Sequence, residues 1–201
     1  MPRIVTIATI ATIATFGLLP LATLAAPENY NVDALHSYPS FAVSHFGMST
    51  MVGRFERMTG KVSIDRAAKT GSLEVKIATA SISTGDAKRT DGARSRDEHL
   101  RAADFFNAAE FPEMVYKSTK FNFAADKLES VDGNLTLLGV TKPVKLVVTS
   151  FNCGANPMSK KDMCGADVSG SLKRTDFGMK YGVPAIGDEV KLTINVEAYK
   201  E

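Results

Sequence analysis

The mature part of the chain is dominated by an alternation of period two. Leu73, Val75 and Ile77 alternate with Glu74, Lys76 and Ala78, and Leu192, Ile194, Val196 and Ala198 alternate with Thr193, Asn195, Glu197 and Tyr199. Successive side chains of a strand point to opposite faces, so these runs read as strands with one apolar and one wet face. The same alternation places Val131, Gly133, Leu135 and Leu137 on one face of residues 131–138, and Val144, Leu146 and Val148 on one face of residues 144–150. Their closeness predicts a hairpin with residues 139–143 as its turn. Phe121 and Phe123 fall in a further short strand after Tyr116. Nearer the start, Phe41, Val43 and His45 share a face, as do Phe55 and Arg57 on the next run. Turn signals at Thr70-Gly71, Asp132-Gly133, Thr141-Lys142-Pro143 and Gly187-Asp188 punctuate the runs. About eight to ten strands result, enough for a closed antiparallel barrel or a sandwich.

One interval breaks the pattern. Residues 84–109 are charged, Ala-rich and free of β-branched runs, and the second half fits a helix of about three turns. Leu100, Ala103, Asp104 and Phe106 lie at helical spacings there, and Pro112 stops continuation. A helix inserted between strands can cap one mouth of a barrel.

The first 25 residues stand apart. Residues 4–27 carry no charge and follow a Met-Pro-Arg start, with Thr23 and Ala25 as small residues before a cut. This is the layout of a cleaved export signal, residues 1–25, leaving one domain over residues 26–201. The competing reading is a retained anchor, since the uncharged stretch is long enough to span a bilayer. Against it stand the Thr-diluted repeat and Pro20. Export to a bacterial periplasm makes a bridge between Cys153 and Cys164 the expected state of the two cysteines, closing a loop of 12 residues. A metal pair is the poorer alternative, because no His lies near them. With 24 Lys+Arg against 22 Asp+Glu, the charge balance gives no reason to expect nucleic acid as a partner.

Motifs for chemistry are absent: no G-x-S-x-G elbow, no phosphate loop, no H-E-x-x-H and no C-x-x-C. Neither a catalytic residue nor a metal site is expected. His36, His45 and His99 are the only histidines, and their spacing offers no helical ligand pair. Asp97-Glu98, Asp104 and Glu110, next to Arg94, Arg96 and Arg101, read as a solvated, charge-balanced helix face. Lys173, Arg174 and Lys180, around Asp176-Phe177-Gly178, are either surface solvation or a small anion site. The 11 Phe, with no Trp, place aromatic area in side chains that make no polar demand. In a barrel of about eight strands that area either fills the interior or lines a pocket for one slender ligand.

The order of residues carries more than their statistics. Tyr30-Asn31-Val32-Asp33, His36-Ser37, the spaced set Phe41, Val43, His45 and Gly47, then Gly53, Phe55 and Gly60 resemble the YceI-like family of bacterial proteins. The resemblance continues at Arg96-Asp97, His99-Leu100, Asp104-Phe105-Phe106 and Phe111-Pro112. It resumes over residues 133–144 and closes with Arg174, Asp176-Phe177-Gly178 and Gly187-Asp188-Glu189-Val190, covering nearly all of residues 29–199. It implies an all-β, lipocalin-like antiparallel barrel of about eight strands with the helical insertion at a mouth. It also implies an elongated apolar pocket for an isoprenoid lipid, either a polyprenyl phosphate or a quinone, with no cofactor beyond that ligand.

Exported members with a Cys-flanked loop, here Cys153 to Cys164, form the subgroup this chain is most similar to. The expected lining is Phe41, Val43, His45, Phe55, Leu100, Phe105, Phe106, Phe111 and Met114, with Phe177 and Met179 at the far mouth and Arg174 and Lys180 as headgroup contacts. The function expected is that of a periplasmic lipid carrier or reservoir, with stress protection among its roles. Contact with a membrane surface and pairing of two barrels stay open. The alternatives are an enzyme acting on an isoprenoid headgroup through His36 or His45, and a ligand-free interaction module with a filled barrel.

Overall fold

A computed structural model describes residues 26–201; the predicted export signal lies outside the described residues. Among the described residues there are eleven strands: β1 (Glu28–Val32), β2 (Tyr38–His45), β3 (Ser49–Phe55), β4 (Met58–Asp65), β5 (Thr70–Ala78), β6 (Ile82–Ser83), β7 (Glu113–Ala124), β8 (Lys127–Leu137), β9 (Val140–Ala155), β10 (Asp162–Lys173) and β11 (Ile186–Lys200). One short helix, α1 (Arg96–Arg101), lies between β6 and β7. Eight strands close into an antiparallel ring in the order β1-β4-β5-β7-β8-β9-β10-β11, with β11 returning to β1. The predicted barrel is therefore the fold.

Opposite its ladder with β10, β11 is long enough for two partners along its other edge, and the pairing with β1 closes the ring. Its last residues pair with β1, Val32 opposite Ala198 and Tyr30 opposite Lys200. Its earlier residues pair with β2, Leu192 opposite Phe41 and Val190 opposite Val43. From β2 the ladder passes to β3 and then to the two-residue β6. Ion pairs brace the seam between the ends of the chain. The Glu28 carboxylate on β1 accepts from Lys200 Nζ on β11 at 2.7 Å, from Arg66 at 2.9 Å and from the Tyr30 phenol at 3.1 Å. The Lys200 hydrogen bond, with smaller help from Arg66 and Tyr30 and against partial desolvation, lowers its pKa to about 2.

The alternation read from the sequence sorts inside from outside. Val75 and Ile77, the set Val131, Leu135 and Leu137, and the set Val144, Leu146 and Val148 are buried, while the intervening Lys76, Glu74 and Lys145 are exposed. Local boundaries differ from expectation in three places. The β8–β9 turn is the two residues Leu138 (φ 51°) and Gly139 (φ 73°), and Pro143 pairs within the ladder opposite Asn134. Two consecutive positive φ values make the tight hairpin turn whose twist matches the flanking strands. Phe121 and Phe123 belong to one 12-residue strand with Tyr116, its ladder interrupted by register shifts. Arg57 does not share a strand face with Phe55. β3 ends at Phe55, and the Arg57 N–H and C=O turn to Ser81 Oγ and the Ala78 N–H.

The helix is shorter than the three turns expected, because its end is set by side chains the helical spacing does not reveal. Ala102 is extended, and the Arg101 guanidinium is pinned at 2.8 Å to the carbonyls of Ala80 and Ile82. The following residues form irregular turns, with Asn107 at φ 41°. Those turns send the consecutive rings of Phe105 and Phe106 to different partners. Phe106 meets Phe55 edge-on at 5.3 Å, and Phe105 meets His99 at 5.0 Å.

Candidate functional site

The barrel interior is not filled. A cavity of about 610 Å³ runs along it, within the range of small-molecule sites. Around its middle stand Met58, Val75, Met114, Leu135, Leu146 and Val168. Tyr30, Ile64, Phe121, Leu128, Phe151 and Cys164 line it toward the β4–β5, β7–β8 and β9–β10 turns. The alternation that buries these side chains also leaves their backbone polar groups in the sheet ladders, so the lining stays apolar.

The one phenol in mid-wall is quenched. Tyr116 lies across Gly133 and donates to the carbonyls of Val131 and Val144, both at 3.1 Å. A side chain at position 133 would overlap that ring. Burial pushes the Tyr116 phenol well above its ordinary pKa.

Polar groups gather at the opposite end, where Thr84, Asp86, Arg94, Ser95, Arg96, His99 and Tyr181 complete the lining. α1 is held there by a reciprocal cap: the Glu98 N–H donates to Ser95 Oγ at 3.1 Å and the Ser95 N–H to the Glu98 carboxylate at 2.8 Å. The Ser95 N–H, followed by its hydroxyl, holds the Glu98 carboxyl below its usual range. Asp97 does not belong to a solvated face. It is fully buried and accepts from the Thr84 N–H at 2.8 Å and the Thr84 hydroxyl at 2.6 Å, which pins the preceding loop to the helix. His99, Phe105 and Tyr181 form a triangle of rings with centroids 5.0 to 5.2 Å apart, and Asp104 steadies His99 at 2.8 Å.

Arg96 is only partly satisfied at this end. Its Nη1 lies 3.7 Å from Met51 Sδ and its Nη2 3.9 Å from Asp86 Oδ2. Its Nε is buried with no hydrogen-bond partner among the described residues. An ionised group with an unused buried N–H beside an apolar cavity is suited to an anion.

Most of the expected lining residues come together. Phe41, Val43, His45, Phe55, Leu100, Phe105, Phe106, Met114 and Met179 border the cavity. Phe111 and Phe177 do not. Phe111 sits on the β8–β9 turn against Gly139, and Phe177 is fully buried in the core under the short turn Arg174–Phe177.

The expected headgroup pair also fails to form. Arg174 borders the cavity, yet it is 3% exposed and donates to the carbonyls of Gly187, Met179, Tyr181 and Ile186 at 2.8 to 3.2 Å. It clamps the β10–β11 loop, and burial pushes its guanidinium pKa down. Lys180 points to solvent away from the lining. Arg94 and Arg96, read from the sequence as solvated charge, line the cavity at its polar end.

His36 lies outside the barrel, on the bend between β1 and β2, so it cannot serve cavity chemistry together with His45. The two cysteines are bonded, Cys153 on β9 facing Cys164 on β10 in register.

A closed antiparallel ring of eight strands around an apolar cavity with a polar, helix-capped end defines a ligand-enclosing barrel. The YceI-like domain model matches residues 30–198, and the chain belongs to that family. Protein YceI of Salmonella arizonae is 32% identical over 181 residues, 90% of each chain. The crystal structure of Campylobacter jejuni YceI protein superposes with a TM-score of 0.64 at 26% identity, covering 79% of this chain and 90% of that one. A polyisoprenoid-binding domain from Saccharophagus degradans shares the fold at a TM-score of 0.58 and 19% identity, covering 86% and 98%.

Proposed function

We propose that the protein binds one isoprenoid-type amphiphile in the periplasm, as a carrier or reservoir and not as a catalyst. The tail occupies the barrel and the headgroup meets Arg94 and Arg96 at the capped mouth. The observation that carries this reading is the continuous cavity of about 610 Å³, apolar along its length and polar at one end. A cavity of that size suits one slender amphiphile. The S. degradans relative, described as polyisoprenoid-binding, supports the ligand class. The unused Arg96 Nε supports an anionic headgroup over a neutral quinone ring.

The rim supports loading from a bilayer surface. Phe46, at φ 56°, and Met48, 90% exposed, project from the β2–β3 turn. Tyr181 and Val183 are exposed on the loop to which Phe46 is tied by its N–H on the Ala185 carbonyl at 2.6 Å.

The test is native mass spectrometry and organic extraction of protein purified from a periplasm, with a co-purified prenyl lipid expected. An empty protein that also fails to take up a polyprenyl phosphate from vesicles overturns the reading. Uptake that is as fast in Phe46→Ser/Met48→Ser as in the parent removes the bilayer rim alone.

A further inference from the structure

Outside the barrel, on the far side of its wall from the lipid cavity, a second cluster has donor chemistry. β1 does not run directly into β2: residues 33–37 bend over β11 and are stitched to one residue of it. The Asp33 N–H donates to the Glu197 carbonyl at 2.8 Å, the buried Ser37 hydroxyl donates to the same carbonyl at 3.2 Å, and the Glu197 N–H returns to Ser37 Oγ at 3.0 Å. These backbone-directed bonds leave the side chain of Glu197 free of structural duty while fixing where it emerges. Next to it the Asp33 carboxylate and His36 Nδ1 approach to 2.7 Å, and the Asp33 second oxygen accepts the Leu35 N–H at 2.9 Å. One donor atom each from Asp33, His36 and Glu197 lies within 4.8 Å of the others. Among the described residues, neither carboxylate pairs with a lysine or arginine.

We propose that Asp33, His36 and Glu197 form a site for one divalent transition-metal ion of the zinc class. Two carboxylates and one imidazole, contributed by chain segments 160 residues apart and prepositioned by the Ser37 bonds, supply the charge and the borderline-soft nitrogen that such ions select over Mg²⁺ or Ca²⁺. Tetrahedral bonds of about 2.1 Å put donor atoms roughly 3.4 Å apart. The Asp33 and His36 atoms therefore open by less than an ångström and Glu197 swings in, movements open to side chains at the surface. Water completes the shell. The ion ties the β1–β2 bend to β11, beside the pairs that close the ring, so its role is to lock the seam.

The experiment uses the disulfide-bonded chain of residues 26–201, stripped with a chelator and titrated with Zn²⁺ alone by calorimetry and thermal melting, and with Co²⁺ by visible absorption. One site per chain, a higher melting temperature and cobalt ligand-field bands are expected. His36→Ala and Glu197→Gln, which leave the Ser37 bonds in place, are each expected to weaken binding by about tenfold or more with the metal-free melting temperature little changed. Absence of saturable binding overturns the proposal. Binding that survives in both variants, or that is lost instead in His45→Ala or His99→Ala, overturns it equally.

Discussion

Ala166 offers a sharp test of whether the barrel encloses its ligand. It lies on β10 opposite Val196 and Phe151, with its methyl on the cavity. Ala166→Phe places a phenyl ring in that space, and the ring excludes roughly one five-carbon isoprene unit of ligand. At ~0.8 kcal/mol per buried carbon, the lost unit removes up to ~4 kcal/mol, equivalent to a ~1000-fold preference at ~1.4 kcal/mol per decade. The wild-type protein is therefore expected to favour geranylgeranyl diphosphate strongly over farnesyl diphosphate, one unit shorter. In the variant that preference collapses toward unity, chiefly through loss of the longer ligand.

Competitive displacement of a fluorescent lipid measures both ratios. The same variant reports on the interior without any ligand. In a filled core the added ring costs about 1–3 kcal/mol of overpacking, which lowers the melting temperature by ~2–4 °C per kcal/mol; in a cavity it costs little. An unchanged chain-length preference together with a large loss of stability would refute the enclosed-tail reasoning.

Three further outcomes are expected. Arg96→Gln should weaken geranylgeranyl diphosphate by about 10-fold to 100-fold, the scale of a lost charged hydrogen bond, and leave geranylgeraniol unaffected; equal loss for both ligands in displacement assays contradicts the headgroup assignment. Gly133→Ala drives a methyl into the Tyr116 ring and the Lys117 carbonyl, so chemical denaturation should show a loss of ~1–3 kcal/mol, and an unaltered midpoint argues against that packing. The Glu28 carboxyl, held mainly by Lys200 at about 2 against an ordinary 4.5, stabilises the fold fully above pH 4.5 and loses that contribution as pH falls toward 2. Because the group is partly exposed, its worth is ~1 kcal/mol. Glu28→Gln should thus be less stable than the parent at pH 7 and equal to it near pH 2, and a deficit that persists in acid contradicts the linkage.

Side-chain alternation made the barrel legible, since a period of two is a direct consequence of strand geometry and holds wherever one face is buried. It also put Phe41, Val43 and His45 correctly on one wall. What it could not supply is which polar groups the fold consumes. Arg174 and Arg96 look alike as cations near a turn, but the β10–β11 loop curls four carbonyls around the first and none around the second. Asp97 sits among charged neighbours and is buried because Thr84, 13 residues earlier, folds back onto it. The β8–β9 turn is tighter than its sequence suggests because Leu138 takes a left-handed conformation without the Asn or Asp that ordinarily signals one. Phe111 and Phe177 share composition with the true lining and differ only in where the irregular segments carry them. A cation at a helix start, two residues ahead of a capping-box glutamate in an otherwise β chain, is the available hint to the mouth.

The seam between β1 and β11 has a bearing on biogenesis. Tyr30 is paired with Lys200, so the first strand waits for the last. Until then the hairpins between them can form, but the lumen has an open side, and such distant pairing makes closure slow. A chain threaded across a membrane from its N-terminus would therefore complete its container only on the far side. The compartment in which β11 emerges, not the one in which synthesis begins, would decide which molecule is trapped inside.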